Sequence, residues 1–232
     1  PVQSMQGERL ASARIGANGI DGDRAWGIVD PDLGEVVSSA QGKRKWRGIV
    51  TLAARYTADP VGTGAVPVDI RLPDGGVLRS NQPDIDARLS EALGSPAHLA
   101  AKAGESVRTA YRNEPLHLLT TASMLALSAH HPEGRFVPAR FRPNIVIDTD
   151  GLSGFVEQGW IEQRFRIGET LTIAVTEHCK RCVMTTLPQG ELPMDPAILY
   201  ATTTLNETRA GVYAVVVMPG TVKTGDPVRR VD

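Results

Sequence analysis

A mainly β protein of the α+β class, with a few short helices, is what this sequence predicts, and three observations predict it. Short apolar stretches recur between Gly- and Pro-rich turns through the first 80 residues, and none keeps helical periodicity for long. Helix signals are few and brief. The longest apolar run, Val212 to Met218, is rich in β-branched residues, and it falls well short of the roughly 20 residues a membrane helix needs.

Taken in order, Ala11 to Ile15 reads as a strand and Ala17-Asn18-Gly19 as the turn that ends it. Ala25 to Asp30 and Gly34 to Ser38 form a hairpin around Pro31-Asp32-Leu33-Gly34, and Ile49 to Ala54 is expected to be a further strand. Val68 to Leu72 and Val77 to Arg79 pair across Pro73-Asp74-Gly75-Gly76. Several short strands with Gly-rich turns predict a small barrel or sandwich. Asp84 is placed to cap a helix with an apolar face of Ile85, Leu89, Ala92 and Leu93, which Gly94 stops, close to an expected subdomain boundary. Thr120 or Thr121 caps a second helix, ended by Pro132 and Gly134. Strands resume at Asn144 to Ile147, Leu171 to Val175 and Val212 to Met218, and a short helix follows Asp195-Pro196, where Pro suits the first turn.

At 232 residues the chain suits one large domain or two closely joined smaller ones. Hydrophobic residues at 41% and charged residues at 22% match ordinary globular usage, which argues against a disordered or fibrous chain. Twenty-five basic residues face twenty-six acidic ones, so no global charge draws the chain to nucleic acid or to an anionic membrane. Any anion site must be local. Two cysteines, three apart, argue against a disulfide framework and for a reducing compartment, with cytoplasm the expected location. Pro1-Val2-Gln3-Ser4 shows neither an initiator Met nor a signal-peptide segment.

Cys179 and Cys182 lie in His178-Cys179-Lys180-Arg181-Cys182-Val183-Met184-Thr185-Thr186. A structural zinc site needs more ligands than this pair and His178 supply. A thioredoxin-like pair needs a helix to follow, whereas Val183 to Thr186 read as extended. Two reduced core cysteines are the plainest alternative. Lys180 and Arg181 are expected to favour a thiolate at Cys182, and soft thiolate suits transition metals better than magnesium or calcium. Residue chemistry alone thus reaches a thiolate beside an anion-binding cluster. In Arg140-Phe141-Arg142-Pro143-Asn144, Pro143 is expected to hold Arg142 extended before a strand, with Arg offering a fork for phosphate and Asn144 both donor and acceptor. The bend Asn18-Gly19-Ile20-Asp21-Gly22-Asp23-Arg24-Ala25-Trp26 presents Arg24, without the glycine spacing of a P-loop or Rossmann turn. Lys43-Arg44-Lys45-Trp46-Arg47 reads as a solvated rim or a docking patch.

Together these runs resemble the MOSC superfamily, named for the C-terminal domain of molybdenum-cofactor sulfurase, in the branch with an N-terminal MOSC β-barrel segment. The resemblance rests on Pro1 to Glu8, Gly19 to Trp26, Phe141 to Ile147, Cys179 to Thr186 and Pro219 to Val228, in the family's order. It implies a MOSC β-barrel over 96–232, preceded by a β-barrel-like N-terminal subdomain over 1–95. In pattern the chain is most similar to the amidoxime-reducing proteins, which bind molybdenum cofactor and reduce N-hydroxylated compounds. The resemblance makes Cys182 the molybdenum ligand and catalytic thiolate, and it assigns Ser4, Arg24, Arg142, Asn144, Lys180, Arg181 and Tyr213 to the pterin and its phosphate. Asn113 and Glu114 fall near another of the family's cofactor contacts. Gln3 stands where the family usually has Lys, which leaves phosphate neutralisation to the arginines. Two cysteines cannot bind an iron–sulfur cluster, so electrons are expected from a separate flavin, haem or iron–sulfur protein. The competing reading is a sulfur or molybdenum-cofactor carrier with a persulfide on Cys182; a third is a non-catalytic binding barrel.

Overall fold

The computed structural model describes residues 1–39, 44–60, 66–101 and 115–232. Lys43, Asn113 and Glu114 lie outside them. In chain order the strands and helices are β1 (Ser12–Gly16), β2 (Gly19–Ile20), β3 (Trp26–Asp30), β4 (Glu35–Val36), β5 (Ala53–Tyr56), β6 (Val68–Arg71), β7 (Val77–Arg79), α1 (Ile85–Leu93) and β8 (His98–Ala101). They continue as β9 (Leu116–Thr120), α2 (Thr121–His130), α3 (Pro138–Phe141), β10 (Ile145–Ile147), β11 (Arg164–Ile167), β12 (Leu171–Lys180), α4 (Ala197–Asn206), β13 (Arg209–Met218), β14 (Gly220–Lys223) and β15 (Val228–Val231). Strand residues outnumber helical ones, 35% to 24%, and the main sheet curls into a half-barrel, so the fold is the expected mainly β, α+β one. Among the described residues no helix is long and apolar enough to cross a membrane.

The chain divides into two compact units. The first comprises Pro1–Arg9, Asp21–Arg112 and Pro188–Pro193; the second comprises Leu10–Ile20, Asn113–Leu187 and Met194–Asp232. In the first, two antiparallel three-stranded sheets, ordered β4-β3-β8 and β5-β6-β7, enclose Met5, Ile28, Trp46, Ile70, Leu78 and Leu89. Local chemistry shapes it as expected at two places. Asp74 accepts from Gly76 N–H inside the β6–β7 turn, and Gly94 takes the left-handed conformation that ends α1. The expected strand at Ile49 to Ala54 is instead a 3-10 helix over Arg44–Thr51, with β5 starting only at Ala53. Burial of Trp46, Ile49 and Val50 is a three-to-four-residue periodicity, which an apolar triplet read alone does not distinguish from a strand.

The second unit is built on a six-stranded sheet ordered β10-β9-β13-β12-β11-β15, in which β9 and β10 are parallel and the other pairs antiparallel. Leu116, Leu118, Ile173, Val175 and Val212 pack into one core, while Leu119, Leu127, Phe141, Ile198 and Ala210 form another. Both faces of β9 are therefore covered, as its unbroken burial records. Thr120 caps α2, its side chain accepting from Ser123 N–H. Gly211, at φ +88°, breaks the alternation of β13, so that Ala210 joins one core and Val212 the other.

Candidate functional site

Strand β12 delivers the cysteine pair. Cys179 is buried near its end, whereas Cys182, two residues beyond it, is exposed. Cys182 is extended (φ −133°, ψ −175°) at the head of a 3-10 turn over Val183–Thr186, where the sequence had predicted extended backbone. Its carbonyl accepts from Thr185 N–H at 3.1 Å and from Thr185 Oγ1 at 3.0 Å. Buried Arg140 donates to Thr185 O (3.4 Å) and Leu187 O (3.1 Å), tying the turn to α3. Burial pushes the Arg140 pKa below its ordinary value.

Arg181 turns away from solvent. Its Nη2 donates to Phe141 O at 2.5 Å, its Nη1 donates to Cys179 Sγ at 2.7 Å, and its guanidinium lies 5.8 Å from the Phe141 ring centre. Cys179 is thus an acceptor for Arg181. Arg181 Nε–H is buried and makes no hydrogen bond among the described residues. Lys180 is exposed at the end of β12.

Arg142 departs from the expected extended backbone. It is left-handed, φ 57° and ψ 47°, because its N–H closes α3 on Pro138 O at 2.7 Å. A non-glycine residue there costs about 1–3 kcal/mol, and the following Pro143 adds to the crowding. Asn144 takes both sides of one exchange: its N–H donates to His117 O at 2.8 Å, and its Oδ1 accepts from His117 N–H at 2.9 Å. Tyr213 pairs with His117 across β13 and β9, the rings 5.7 Å apart and tilted by 51°.

His117 links these residues. Its Nδ1 lies 3.5 Å from Arg142 O, and its Nε2 lies 3.3 Å from Ala210 O and 3.5 Å from Arg181 Nη1. Burial, together with the Arg181 charge, lowers its pKa to about 3, so the ring is neutral at pH 7. Gly211 makes room for it, since a Cβ there would strike His117 Nε2 and Leu118 O. Glu157, 0% exposed, accepts from Gly211 N–H (3.1 Å), Ser123 Oγ (2.6 Å) and Thr120 Oγ1 (2.6 Å), while Gln158 Nε2 donates to Gly211 O at 3.2 Å.

A MOSC domain matches residues 95–229, more than half of the chain. The chain belongs to the MOSC domain family. Cys182, Arg142, Asn144, Lys180, Arg181, Tyr213 and His117 all fall within the MOSC match. No curated protein matches. Among solved structures, YiiM from Geobacillus stearothermophilus is 10% identical (TM-score 0.38), and YiiM from Escherichia coli is 23% identical (TM-score 0.38). In each case 51% of this chain is covered, and this chain spans 55% of the YiiM chain. The YUAD protein from Bacillus subtilis is 17% identical, with 55% of this chain and 72% of that one covered and a TM-score of 0.43.

Ser4 and Arg24 precede the MOSC match and belong to the first unit. Both are left-handed, with φ 67° and 54°. Ser4 Oγ accepts from Ser39 N–H at 3.3 Å, and Arg24 pairs with Asp23 at 2.7 Å. In the basic run, Lys45 is committed to buried Asp30 at 2.7 Å and lies over Trp46, which leaves Arg44 and Arg47 as the candidates for docking among its described cations. His117, Arg140 and Glu157 were missed by sequence reasoning. The signal for His117 was a single polar ring inside Leu116-His117-Leu118-Leu119. Among the described residues no group of three or more His, Cys, Asp or Glu side chains is placed to hold a metal, so Cys182 stands as a single exposed thiol.

Proposed function

We propose that this protein is a molybdenum-cofactor-dependent oxidoreductase that reduces N-hydroxylated compounds such as amidoximes and hydroxylamines. The observation that carries the reading is the exposed Cys182 thiol, set at the head of a turn pinned by buried Arg140, with the buried, unengaged Nε–H of Arg181 one residue away. A free thiol and a spare buried cationic donor fit a ligand that needs one soft sulfur and carries negative charge. Cys182 is the proposed metal ligand. Lys180, Arg181, Arg142, Asn144 and Tyr213 are the proposed hold on the pterin and its phosphate, and the resemblance adds Ser4 and Arg24. The resemblance likewise divides the chain into an N-terminal MOSC-like segment, 1–95, and a MOSC domain, 96–232.

When bound, the cofactor supplies the two-electron redox chemistry. The N-hydroxy compound takes up two electrons and two protons and leaves as the amine or amidine and water. Arg181 and Lys180 place positive charge in the residues next to Cys182, and the Arg140-anchored turn fixes the backbone from which its sulfur projects. Electrons come from a separate flavin, haem or iron–sulfur protein in the cytoplasm. Purified, molybdenum-replete protein given a reduced dye should consume benzamidoxime. Absence of turnover at full cofactor occupancy sinks the reading.

The exposure of Cys182 also serves a second reading, a sulfur or cofactor carrier with a persulfide on that residue. Metal-free protein carrying a labile sulfane sulfur that disappears in Cys182→Ser supports the carrier.

A further inference from the structure

We infer that His117 is a positioning residue of the Cys182 site: its imidazole orients the Arg181 guanidinium and the Arg142 carbonyl, so that Arg181 presents its charge to an anionic ligand. The identity of that ligand rests on the reading above; the coupling of His117 to Arg181 does not.

A ring in the middle of Leu116-His117-Leu118-Leu119 is buried at 6% exposure, where a leucine would cost nothing in desolvation. What the ring adds is two-sided hydrogen bonding. Two acceptors, Arg142 O at Nδ1 and Ala210 O at Nε2, compete for the single proton of the neutral ring. With that proton on Nδ1 the ring donates to Arg142 O and its Nε2 accepts from Arg181 Nη1, which has only hydrogens to offer, and this is the tautomer the proposal requires. Protonation would set Nε2–H against the Arg181 N–H, and the neighbouring Arg181 charge accordingly opposes it. Arg181 and Glu157 are the charged groups that act on the ring, Arg181 against protonation and Glu157 for it.

The surroundings are arranged around this ring. Gly211 leaves the space that the imidazole fills, and Glu157 and Gln158 grip Gly211 by its N–H and its carbonyl. Asn144 fixes the His117 backbone on the opposite edge. A support running from buried Glu157 through Gly211 and His117 to Arg181 therefore ends at the residue preceding Cys182. Residues that orient a ligand's holder, without touching the ligand, commonly change affinity about 10–100-fold when removed.

The test uses the full chain with 15N-labelled histidine, together with His117→Phe, His117→Gln and Arg181→Gln. In the wild type the His117 ring should keep one neutral tautomer from about pH 5 to 8, and Arg181→Gln should move its ring resonances and raise its titration midpoint. His117→Phe, folded by circular dichroism, should lose about tenfold in molybdenum-cofactor affinity, and His117→Gln should recover most of it. Titration of His117 near the free value of about 6.5, or ring resonances indifferent to Arg181→Gln, overturns the inference. So does full cofactor affinity in a folded His117→Phe. If His117→Phe does not fold, His117→Gln and Arg181→Gln decide. If no protein, wild type included, binds molybdenum while the His117–Arg181 coupling is observed, the reading of Cys182 fails and the positioning role stands.

Discussion

The two units hold their candidate residues by different means. In the first, Ser4 and Arg24 sit in left-handed turns and lean on near neighbours in the fold, Ser39 N–H and Asp23. In the second, Arg142 and Arg181 are tied through His117, Gly211 and Glu157 into a net buried between β9, β13 and the segment around Val156–Trp160. Turn chemistry fixes a backbone locally; a buried net fixes a side chain against displacement, because each of its polar groups is costly to leave unpaired. The second unit should therefore be the more sensitive to small changes.

The largest contrast lies between two left-handed glycines. Gly211→Ala meets His117 and Leu118 O as well as an unfavourable φ, and should cost about 2–5 kcal/mol in denaturant unfolding. Gly75→Ala, at φ +91° in the first unit with nothing within 4 Å, should cost only about 1 kcal/mol. Equal losses would break the comparison. Next in size is Glu157→Gln, which sets an amide N–H among groups that all donate to the native carboxylate; about 2–4 kcal/mol of stability should go.

Acid sensitivity separates the units by pH window. The folded His117 pKa, about 3, lies below the free value of about 6.5, so the unfolded chain binds a proton that the folded one refuses. Stability is then lost as pH falls below about 6.5, at up to about 1.4 kcal/mol per unit. In the first unit the Lys45 ammonium holds the Asp30 carboxyl below its usual range, so that contribution persists above the ordinary Asp value and is lost only as pH falls through the lower folded one. Denaturant midpoints of wild type and His117→Phe should converge between about pH 6.5 and 4; parallel curves refute the His117 part. The smallest effect concerns strain. Arg142→Gly should leave stability unchanged or raise it by about 0.5 kcal/mol while molybdenum binding falls, and a clear loss of stability would show that the left-handed backbone carries no strain to relieve.

What was legible in the sequence was what neighbours in the chain decide. Thr120 caps α2, Gly94 ends α1, and the β6–β7 turn forms at Asp74-Gly75, because each needs only residues a few positions away. The ordered motifs around Arg142 and Cys182 were legible for the same reason. What failed depends on distant partners. Arg140 grips the turn after Cys182 across more than 40 positions, so Val183 to Thr186 read as extended without it. Pro143 argued for an extended Arg142, but closure of α3 on Pro138 O prevailed. His117 was invisible as a functional residue because its partners are Arg142, Arg181 and Ala210, and only the sheet register brings them to it.

The most direct measurement is molybdenum and phosphorus on the same purified sample, for wild type and Cys182→Ser. Cys182 is exposed, so the substitution should change stability by no more than about 0.5 kcal/mol. About one molybdenum per chain in the wild type, accompanied by cofactor phosphorus and lost in Cys182→Ser, is the predicted result. A wild type free of molybdenum after expression in a cofactor-producing host, or a Cys182→Ser protein that keeps its full complement, would contradict the account.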